Sequence, residues 1–391
     1  MSKSCPICKQ SSSEMVYCKA GVPTFQNVVF SEFKDACNVP RGDMELYFCS
    51  HCTFLWNAAF DASLVGYDEN YENDQTHSPF FTKHVENVIT HIKRGSVDLD
   101  SSRRYLEIGC GNGAFLKLLS SAVKPSSCVG FDASLGENFS FQNLDIYNRY
   151  YSENDPGEFD VVVSRHVIEH IATPDSFLRL IINKNPKSTV FTETPRLEWI
   201  IEKFAFFDFF YEHCSYFSEA SILKLFQQLG FKDVDVSKVF CDQYMLVKSC
   251  VNNKKSQNEF DSKQISLDMV KKFFINFQEF KNQISQYIQN FLQAQKNVYL
   301  WGAGAKGMTL CNNIDPKRAK IKGLVDINPE KQNKFISGSG HRVICPVQLQ
   351  YDKGDKIVLV MNQNYFDEIV KTFQMANTEF ISIEDIIGDV N

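Results

Sequence analysis

The sequence Tyr105-Leu-Glu-Ile-Gly-Cys-Gly-Asn-Gly113 predicts a buried strand that ends in a glycine turn and leads into an amphipathic helix over 114–119. Glycine lets the backbone approach a ligand closely and enter a helix sharply, and the turn has three: Gly109, Gly111 and Gly113. Glu107 precedes the turn. An acid there favours a cationic or adenosine-bearing ligand over a pyrophosphate, which would bind lysine or bare helix N–H groups.

The composition predicts a chain of two or three domains, because 391 residues exceed one ordinary domain. Apolar residues make up 43%, including 34 Phe, so large cores are expected. The formal net charge of -6, without a long basic run, argues against a nucleic-acid partner. No run reaches about 18 apolar residues, so no membrane span is expected. Thirteen cysteines without a signal peptide predict a reducing, cytoplasmic setting.

Residues 1–80 are turn-rich and are predicted to be a zinc-binding domain. Two C-x-x-C knuckles lie 40 residues apart and offer four thiolates, those of Cys5, Cys8, Cys49 and Cys52. Two such turns complete a tetrahedral zinc site, and four thiolates leave no open position, so the zinc would be structural. The alternative is chance spacing among many cysteines. We expect the remaining cysteines to be core thiols.

Residues 81–252 alternate between apolar strands and helices, which predicts an α/β domain with a doubly wound, mostly parallel sheet. The predicted strands are 104–108, 128–132, 159–163, 189–192, 233–238 and 244–248, and the predicted helices are 80–93, 113–121, 174–183 and 219–229. Asp132 closes the second strand, 19 residues after Gly113, where an acid can accept ribose hydroxyls. Asp145 lies where a further acid often meets an adenine amine. Arg165 and His166 follow the third strand, at the expected ligand edge.

Residues 253–391 are predicted to contain a polar linker (253–263), a long helix (266–294) and a second Rossmann-like domain. The strand 297–301 runs into a G-x-G-x-x-G turn, and Asp326 follows 19 residues after Gly307. Alone, this pattern predicts NAD. The loop N–H groups and Lys306 also suit the diphosphate of a substrate nucleotide. An inert structural copy is the third alternative.

Several motifs, in order along the chain, resemble those of one family. The glycine turn resembles the first motif of class I S-adenosylmethionine (AdoMet) methyltransferases, and Phe159–Val163 with His166–Ile171 resembles the fourth. Tyr211-Glu-His-Cys-Ser-Tyr-Phe-Ser218, and the later segments at 302–307, 325–332 and 364–369, resemble the three-domain nucleotide-sugar C-methyltransferases. The resemblance implies a class I methyltransferase Rossmann-like sheet, preceded by a small zinc-binding domain and followed by a second Rossmann-like domain.

The resemblance implies methylation of a carbon next to the ketone of a nucleoside-diphosphate deoxysugar. A carbon acid needs a base and a donor for the enolate oxygen. His213 matches the base, Glu212 would orient it, and His170 matches a histidine near the keto oxygen. Tyr71 roughly matches a tyrosine that closes over the site. Alternatively, His213 caps the helix that starts near Ser218, and His170 is a core residue.

The remaining candidates fall into two groups. The AdoMet-binding candidates are Glu107, Gly109, Gly111, Gly113, Asp132, Asp145, Arg165, His166, Gln75 and Ser78. The candidates for the substrate nucleotide are Gly302, Gly304, Lys306, Gly307, Asp326, Lys331 and Asn364. Arg165 and His166 are equally well explained as backbone-positioning residues, and Gln75 and Ser78 as helix caps.

One position departs from the family pattern. Phe210 stands where the sugar enzymes usually carry a tyrosine, and Tyr211 would point elsewhere. The alternative is therefore O- or N-methylation of another small polar or nucleotide-linked molecule. Two rival functions are independent of this position: an NAD-dependent oxidoreductase that uses the second glycine loop, and a catalytically silent zinc-bearing binding module. The expected partner is a small-molecule substrate, and the expected assembly is a monomer or homodimer.

Overall fold

The structure, a computed structural model, describes residues 3–67, 70–71, 73–95, 103–251 and 265–388. The linker predicted at 253–263 lies outside the described residues. No helix in the described part of the chain is long and apolar enough to cross a membrane.

The N-terminal part is built around a sheet, which the turn-rich sequence did not predict. Its strands, in spatial order, are Ser13–Pro23, Arg41–Cys49, Leu55–Asn57 and the distant Ser215–Tyr216. The first pair shifts register between Met15 and Tyr17 and between Lys19 and Val22. These irregularities interrupt the alternation of apolar and polar residues that marks a strand.

An eight-stranded sheet forms the middle of the chain and confirms the predicted fold class. Its strands, in spatial order, are Lys232–Val239, Tyr244–Cys250, Thr189–Pro195, Val161–Arg165, Arg104–Ile108, Ser127–Phe131, Leu144–Tyr147 and Phe139–Phe141. The five strands from 189–195 to 144–147 are parallel, and antiparallel strands close both edges. Helices flank the sheet at Pro79–Gly95, Ala114–Val123, Pro174–Lys184 and Glu219–Gln228, whereas the short helix Leu197–Glu202 packs against the long helix Leu267–Gln293. The hairpin at 139–147 was not predicted.

The strand order of this sheet indicates at which edge a ligand would bind. Arg104–Ile108 pairs with Ser127–Phe131 on one side and Val161–Arg165 on the other. The order therefore reverses at this strand, and a crevice opens beyond the carboxyl ends at such a switch point. The glycine turn, Asp132 and His166 all follow these strand ends.

The C-terminal part has a second parallel sheet, as expected of the predicted Rossmann-like domain, and this sheet has five strands. In spatial order they are Val343–Ile344, Gly323–Val325, Asn297–Trp301, Lys356–Val360 and Thr378–Ser382. Its helices are Ala305–Ile314, Pro346–Tyr351, Phe366–Thr372 and Ile383–Gly388.

The long helix Leu267–Gln293 packs against the other parts of the chain, as the spacing of its apolar residues predicted. The Ser266 side chain caps its start by accepting the Met269 N–H. Its apolar face is buried, with Phe277 against Phe206 and Phe274 stacked on Tyr17.

Short pairings connect the N-terminal segment to both α/β parts. Ser215–Tyr216, within the Tyr211–Ser218 motif, pairs with Leu55 and Trp56. Val29–Phe30 pairs with Phe335–Ile336 of the C-terminal part. These pairings bring the N-terminal segment, including Tyr67 and Tyr71, to the carboxyl edge of the middle sheet, where both tyrosines line a cavity.

Candidate active site

A cavity of about 800 Å³, the first cavity, lies beyond the glycine turn. All three turn glycines have left-handed φ angles, between 53° and 76°. A Cβ at Gly109 would overlap Val167 and one at Gly113 would overlap Ile146, whereas a Cβ at Gly111 would meet nothing within 4 Å. Gly109 and Gly111 line the cavity, and Gly113 caps the helix behind it.

Two carboxylates face this cavity. Asp132 accepts the Gly111 N–H at 2.7 Å and the Ser134 N–H at 2.8 Å, so it holds the turn in place. Glu107 is 2% exposed, and its Oε2 has no hydrogen-bond partner among the described residues. Burial raises the pKa of Glu107 to about 8. An orphaned buried acceptor beside a cavity fits a ligand that brings donors.

The structure does not bring three of the AdoMet candidates to the first cavity. Asp145 accepts a hydrogen bond from Ser140 across the unpredicted hairpin, because it lies inside a strand and not at its end. Ser78 caps its helix through the Phe81 N–H and lines a different cavity. Gly113 packs against Ile146, as described above. Gln75 does line the first cavity.

Arg165 and His166 lie in a buried charged cluster centred on Glu193. The Arg165 Nε donates to Glu193 at 2.8 Å, and His84 lies 2.7 Å from the same carboxylate. His166 places Nδ1 3.3 Å from Glu169 and Nε2 3.4 Å from Glu193. Burial alone would lower the pKa of His166, but the two carboxylates raise it to about 9. His166 is therefore a cation at neutral pH.

A second cavity, of about 250 Å³, adjoins the first and reaches the C-terminal glycine loop. Six residues line both cavities: Tyr71, Asn73, Asp74, Gln75, His166 and His170. The second cavity is also lined by His213 and Phe210 of the middle part, and by Gly302, Gly304 and Lys306 of the C-terminal part. Two distant parts of the chain therefore share one pocket.

His170 and His213 face each other, with ring centroids 4.8 Å apart. The Nδ1 of His170 lies 3.0 Å from the Glu212 carbonyl and 2.8 Å from the Tyr67 hydroxyl. No described residue hydrogen-bonds to either ring nitrogen of His213, and the Phe210 ring lies against it, tilted by 40°, with the centroids 4.0 Å apart. Burial lowers the pKa of both histidines, that of His213 well below its ordinary value. Both rings are neutral at pH 7.

Glu212 does not pair with His213, contrary to expectation. Its carboxylate turns to the N-terminal segment and accepts the Gln26 N–H at 2.7 Å. Burial raises the pKa of Glu212 to about 7. Tyr211 points away from the cavity, as predicted, because its hydroxyl accepts the Asp61 N–H at 2.9 Å.

The C-terminal glycine loop repeats the geometry of the first. Asp326 accepts the Ala303 N–H at 2.7 Å, as Asp132 accepts that of Gly111. Gly307 is required, since a Cβ there would overlap the Gly302 carbonyl. Asp326, Gly307 and the 5%-exposed Lys331 line the second cavity.

Two C-terminal candidates have other partners. Lys306 Nζ lies 2.8 Å from the Asp208 carboxylate, so its charge is already neutralised. Asn364 donates to the Phe240 carbonyl and to Gln243, and Asn362 lines the cavity in its place.

Comparison with known families agrees with this arrangement. Residues 70–236 match a family model described as a methyltransferase domain, and residues 248–383 match one described as a C-methyltransferase C-terminal domain. The protein is a class I AdoMet-dependent methyltransferase of the C-methyltransferase type.

Individual relatives of this methyltransferase are distant. The C-methyltransferase NovU of Streptomyces niveus is 23% identical over 332 residues, 75% of this chain and 76% of that protein. A ubiquinone biosynthesis O-methyltransferase of Dechloromonas aromatica is 28% identical over 118 residues, 23% of this chain and 49% of that protein. The human N-acetylserotonin methyltransferase structure in complex with SAM gives a TM-score of 0.37 at 17% identity, covering 44% of this chain and 53% of that chain.

The first cavity of the methyltransferase suits its methyl donor. Glu107 offers an unpartnered acceptor, Asp132 lies at the strand end where ribose hydroxyls bind, and Gly111 leaves the approach open. The cavity therefore fits AdoMet by the chemistry of its own residues.

The four knuckle cysteines of the methyltransferase form one buried cluster. Their Sγ atoms lie within 4.8 Å of one another, with Cys5 3.6 Å from Cys52 and Cys8 3.5 Å from Cys49. The two knuckles share one backbone hydrogen bond: the Lys9 N–H donates to the Cys5 carbonyl, and the Thr53 N–H donates to the Cys49 carbonyl. All thirteen cysteines lie in the described residues, and none of them forms a disulfide. Cys18 and Cys241 are exposed, contrary to the expectation of core thiols.

Sequence reasoning missed three residues of this site: Tyr67, Glu193 and His84. Glu193 is an acid in an otherwise uncharged strand, and this was the available signal. Tyr67 and His84 carry no comparable signal, since only folding brings them to His170 and Glu193.

Proposed function

We propose that this methyltransferase methylates the carbon next to the ketone of a deoxysugar carried on a nucleoside diphosphate. One observation carries the proposal: the two cavities share Tyr71, His166 and His170. A donor in the first cavity and an acceptor in the second would meet at these residues. Such positioning supplies much of the rate of a group transfer.

His213 is proposed as the base that removes the proton next to the ketone. Its ring is neutral, lines the second cavity and has no described hydrogen-bond partner, so a nitrogen lone pair is available. The Phe210 ring contacts the His213 ring at 4.0 Å between centroids, and an apolar ring so close helps to exclude water from the imidazole. AdoMet supplies the electrophilic methyl group.

The C-terminal loop is proposed to hold the nucleotide of the acceptor. The helix Ala305–Ile314 begins at the second cavity, and its N-terminal N–H groups suit a phosphate. Lys331 offers an ammonium in the same lining. Because Asp208 already binds Lys306, we propose that Lys306 positions the loop. Because the histidines and the glycine loop line the same pocket, this pocket favours the nucleotide of a methyl acceptor over NAD.

The proposed division of labour follows the three expected domains. Residues 1–80 would hold zinc and supply Tyr71, residues 81–252 would bind AdoMet, and residues 253–391 would contact the nucleotide. We propose that Cys5, Cys8, Cys49 and Cys52 bind the structural zinc, because four thiols packed within 4.8 Å match a tetrahedral thiolate set.

The test uses AdoMet with a ¹³C-labelled methyl group and a panel of nucleoside-diphosphate keto and non-keto sugars. We expect label on a carbon adjacent to the ketone, read by mass spectrometry and by the ¹³C shift of the new methyl group. Label on an oxygen or a nitrogen atom would show that the enzyme is an O- or N-methyltransferase and would contradict C-methylation. No label with any sugar would contradict a nucleotide-sugar acceptor.

A further inference from the structure

The strap, residues 73–78, forms a wall of both cavities and has neither helical nor strand structure. Asn73, Asp74 and Gln75 line both cavities, Thr76 lines the first, and His77 and Ser78 line the second. A segment without regular structure keeps its place through contacts with other parts of the chain. Because the first cavity suits AdoMet, whatever holds the strap also shapes the donor site.

The first end of the strap is attached to the glycine turn that precedes the first cavity. The Asp74 carboxylate accepts a hydrogen bond from the Asn112 side chain at 2.8 Å, and it also accepts the Thr76 N–H at 2.8 Å. Asn112 lies between Gly111 and Gly113 of the turn. This end of the strap is therefore bound to the turn itself.

The second end of the strap is held by Glu368, from the C-terminal part of the chain. The helix that follows the strap begins with a proline, which has no N–H, so its first N–H belongs to Phe80. The Glu368 Oε2 accepts that N–H at 2.7 Å and the Ser78 hydroxyl at 3.0 Å. Its negative charge also lies at the positive end of the helix dipole. A residue 288 positions away therefore caps this helix.

Glu368 follows a loop that also borders the second cavity. This loop comes after the strand Lys356–Val360, which pairs with the strand that runs into the C-terminal glycine loop. The hydroxyl of Tyr365, in the same loop, donates to Gln75 of the strap at 3.0 Å. Tyr365 and Glu368 line the second cavity together with the glycines of the C-terminal loop. The part of the chain that holds the strap therefore faces the acceptor cavity.

We propose that Glu368 is a positioning residue for AdoMet, which fixes the strap against the glycine turn and so completes the donor site from the C-terminal part. Glu368 lines only the second cavity, so it acts on AdoMet through the strap. A nucleotide that contacts the loop 362–368 favours the same arrangement. Nucleotide and AdoMet should then strengthen each other's binding, a consequence that rests on the proposed function.

The test measures the AdoMet dissociation constant of the full chain by calorimetry. Glu368→Leu should raise it about tenfold, because the Phe80 N–H and the Ser78 hydroxyl both lose their acceptor. Glu368→Gln keeps a carbonyl oxygen that can accept both hydrogen bonds and should stay within about threefold of wild type. The matched control is Asp367→Leu, at an exposed neighbour on the same helix and outside both cavities, which should change the constant less than about twofold.

A merely structural role of Glu368 would give a different result. Glu368→Leu would then lower the melting temperature and leave the AdoMet dissociation constant unchanged, and this outcome overturns the proposal. Ser78→Ala is the second variant, in case Glu368→Leu does not fold. It removes the hydroxyl between Glu368 and the helix, and it should raise the constant about threefold. An unchanged constant in Ser78→Ala also overturns the proposal.

Thymidine diphosphate and uridine diphosphate are the probes for coupling between the two cavities. A saturating nucleotide should lower the AdoMet dissociation constant of wild type about fivefold, and that of Glu368→Leu less than about twofold. A nucleotide that binds wild type without changing its AdoMet affinity overturns the coupling. If neither nucleotide binds wild type while Glu368→Leu still loses AdoMet affinity, the positioning role stands and the proposed nucleotide site fails.

Discussion

The Nζ of Lys306 lies 2.8 Å from the Oδ2 of Asp208 and 4.6 Å from the centre of the Trp199 ring. The pair joins the C-terminal glycine loop to the aromatic-rich segment 204–211, which contains Asp208. Both side chains are largely buried, 16% and 11% exposed. Lys306, which the glycine motif predicted for a phosphate, therefore fastens one wall of the second cavity to the other.

Lys306→Met should destabilise the protein by about 3 kcal/mol, because it leaves the Asp208 carboxylate buried without a counter-charge. The double variant with Asp208→Asn should recover part of the loss. Urea unfolding measures both. The control is Lys322→Met, which breaks a more exposed pair with Asp352 and should cost less than about 1 kcal/mol. Equal losses in the two single variants would contradict the role of Lys306 as a fastener.

Gly111→Arg should abolish AdoMet binding, because the new side chain would extend from the turn into open space beside the first cavity. At 100 times its dissociation constant, AdoMet should stabilise wild type by about 2.7 kcal/mol, seen as a rise in melting temperature. The matched control is Gly230→Arg, which shares a left-handed φ and open surroundings but lies outside both cavities. A normal AdoMet response from Gly111→Arg would remove the first cavity as the donor site.

His213→Gln should lower kcat by about 10²–10⁴-fold while leaving AdoMet binding unchanged, since the base acts only on the acceptor. Labelled-methyl incorporation and calorimetry give the two readouts. The control is His91→Gln, an exposed histidine on the helix Pro79–Gly95, which should behave as wild type. Turnover that survives the loss of His213 would assign the base elsewhere.

In the pH profile of kcat, the midpoint of the acid limb should lie below the ordinary histidine pKa of 6.5. Burial, and then His170, His166 and Lys306, hold the pKa of His213 well below 6.5. A depressed pKa means that the base is lost only at lower pH, so kcat should remain level as the pH falls through 6.5. Steady-state kinetics at saturating substrates checks this. A midpoint near 6.5 would indicate a solvated base.

Cys49→Ser should release zinc and lower the melting temperature, because three thiolates bind the ion less tightly and metal binding is coupled to folding. Metal analysis should give about one zinc per wild-type chain and much less in the variant. The exposed Cys18 provides the control, and Cys18→Ser should keep both the zinc and the melting temperature. Wild-type protein without zinc would refute the metal site.

Both α/β sheets and the long helix could be predicted because their signals are local. Most of the predicted strands and helices of these parts begin and end within two or three residues of the prediction, and Leu267–Gln293 differs from it by one residue at each end. The N-terminal sheet could not be predicted, since bulges break its pattern and its fourth strand comes from Ser215–Tyr216. The hairpin at 139–147 was not predicted either, and within it Asp145 accepts a hydrogen bond from Ser140 instead of lining the first cavity.

The sequence by itself determined the two glycine turns, the acids that follow them and the two cysteine knuckles. Each of these features involves residues that lie close together in the chain, so local backbone conformation is enough to form it. Only the tertiary structure decided that Tyr67 contacts His170, that Glu212 turns to Gln26 and that Lys306 binds Asp208. These contacts join residues 98 or more positions apart, and the packing of three sheets around one pocket selects them.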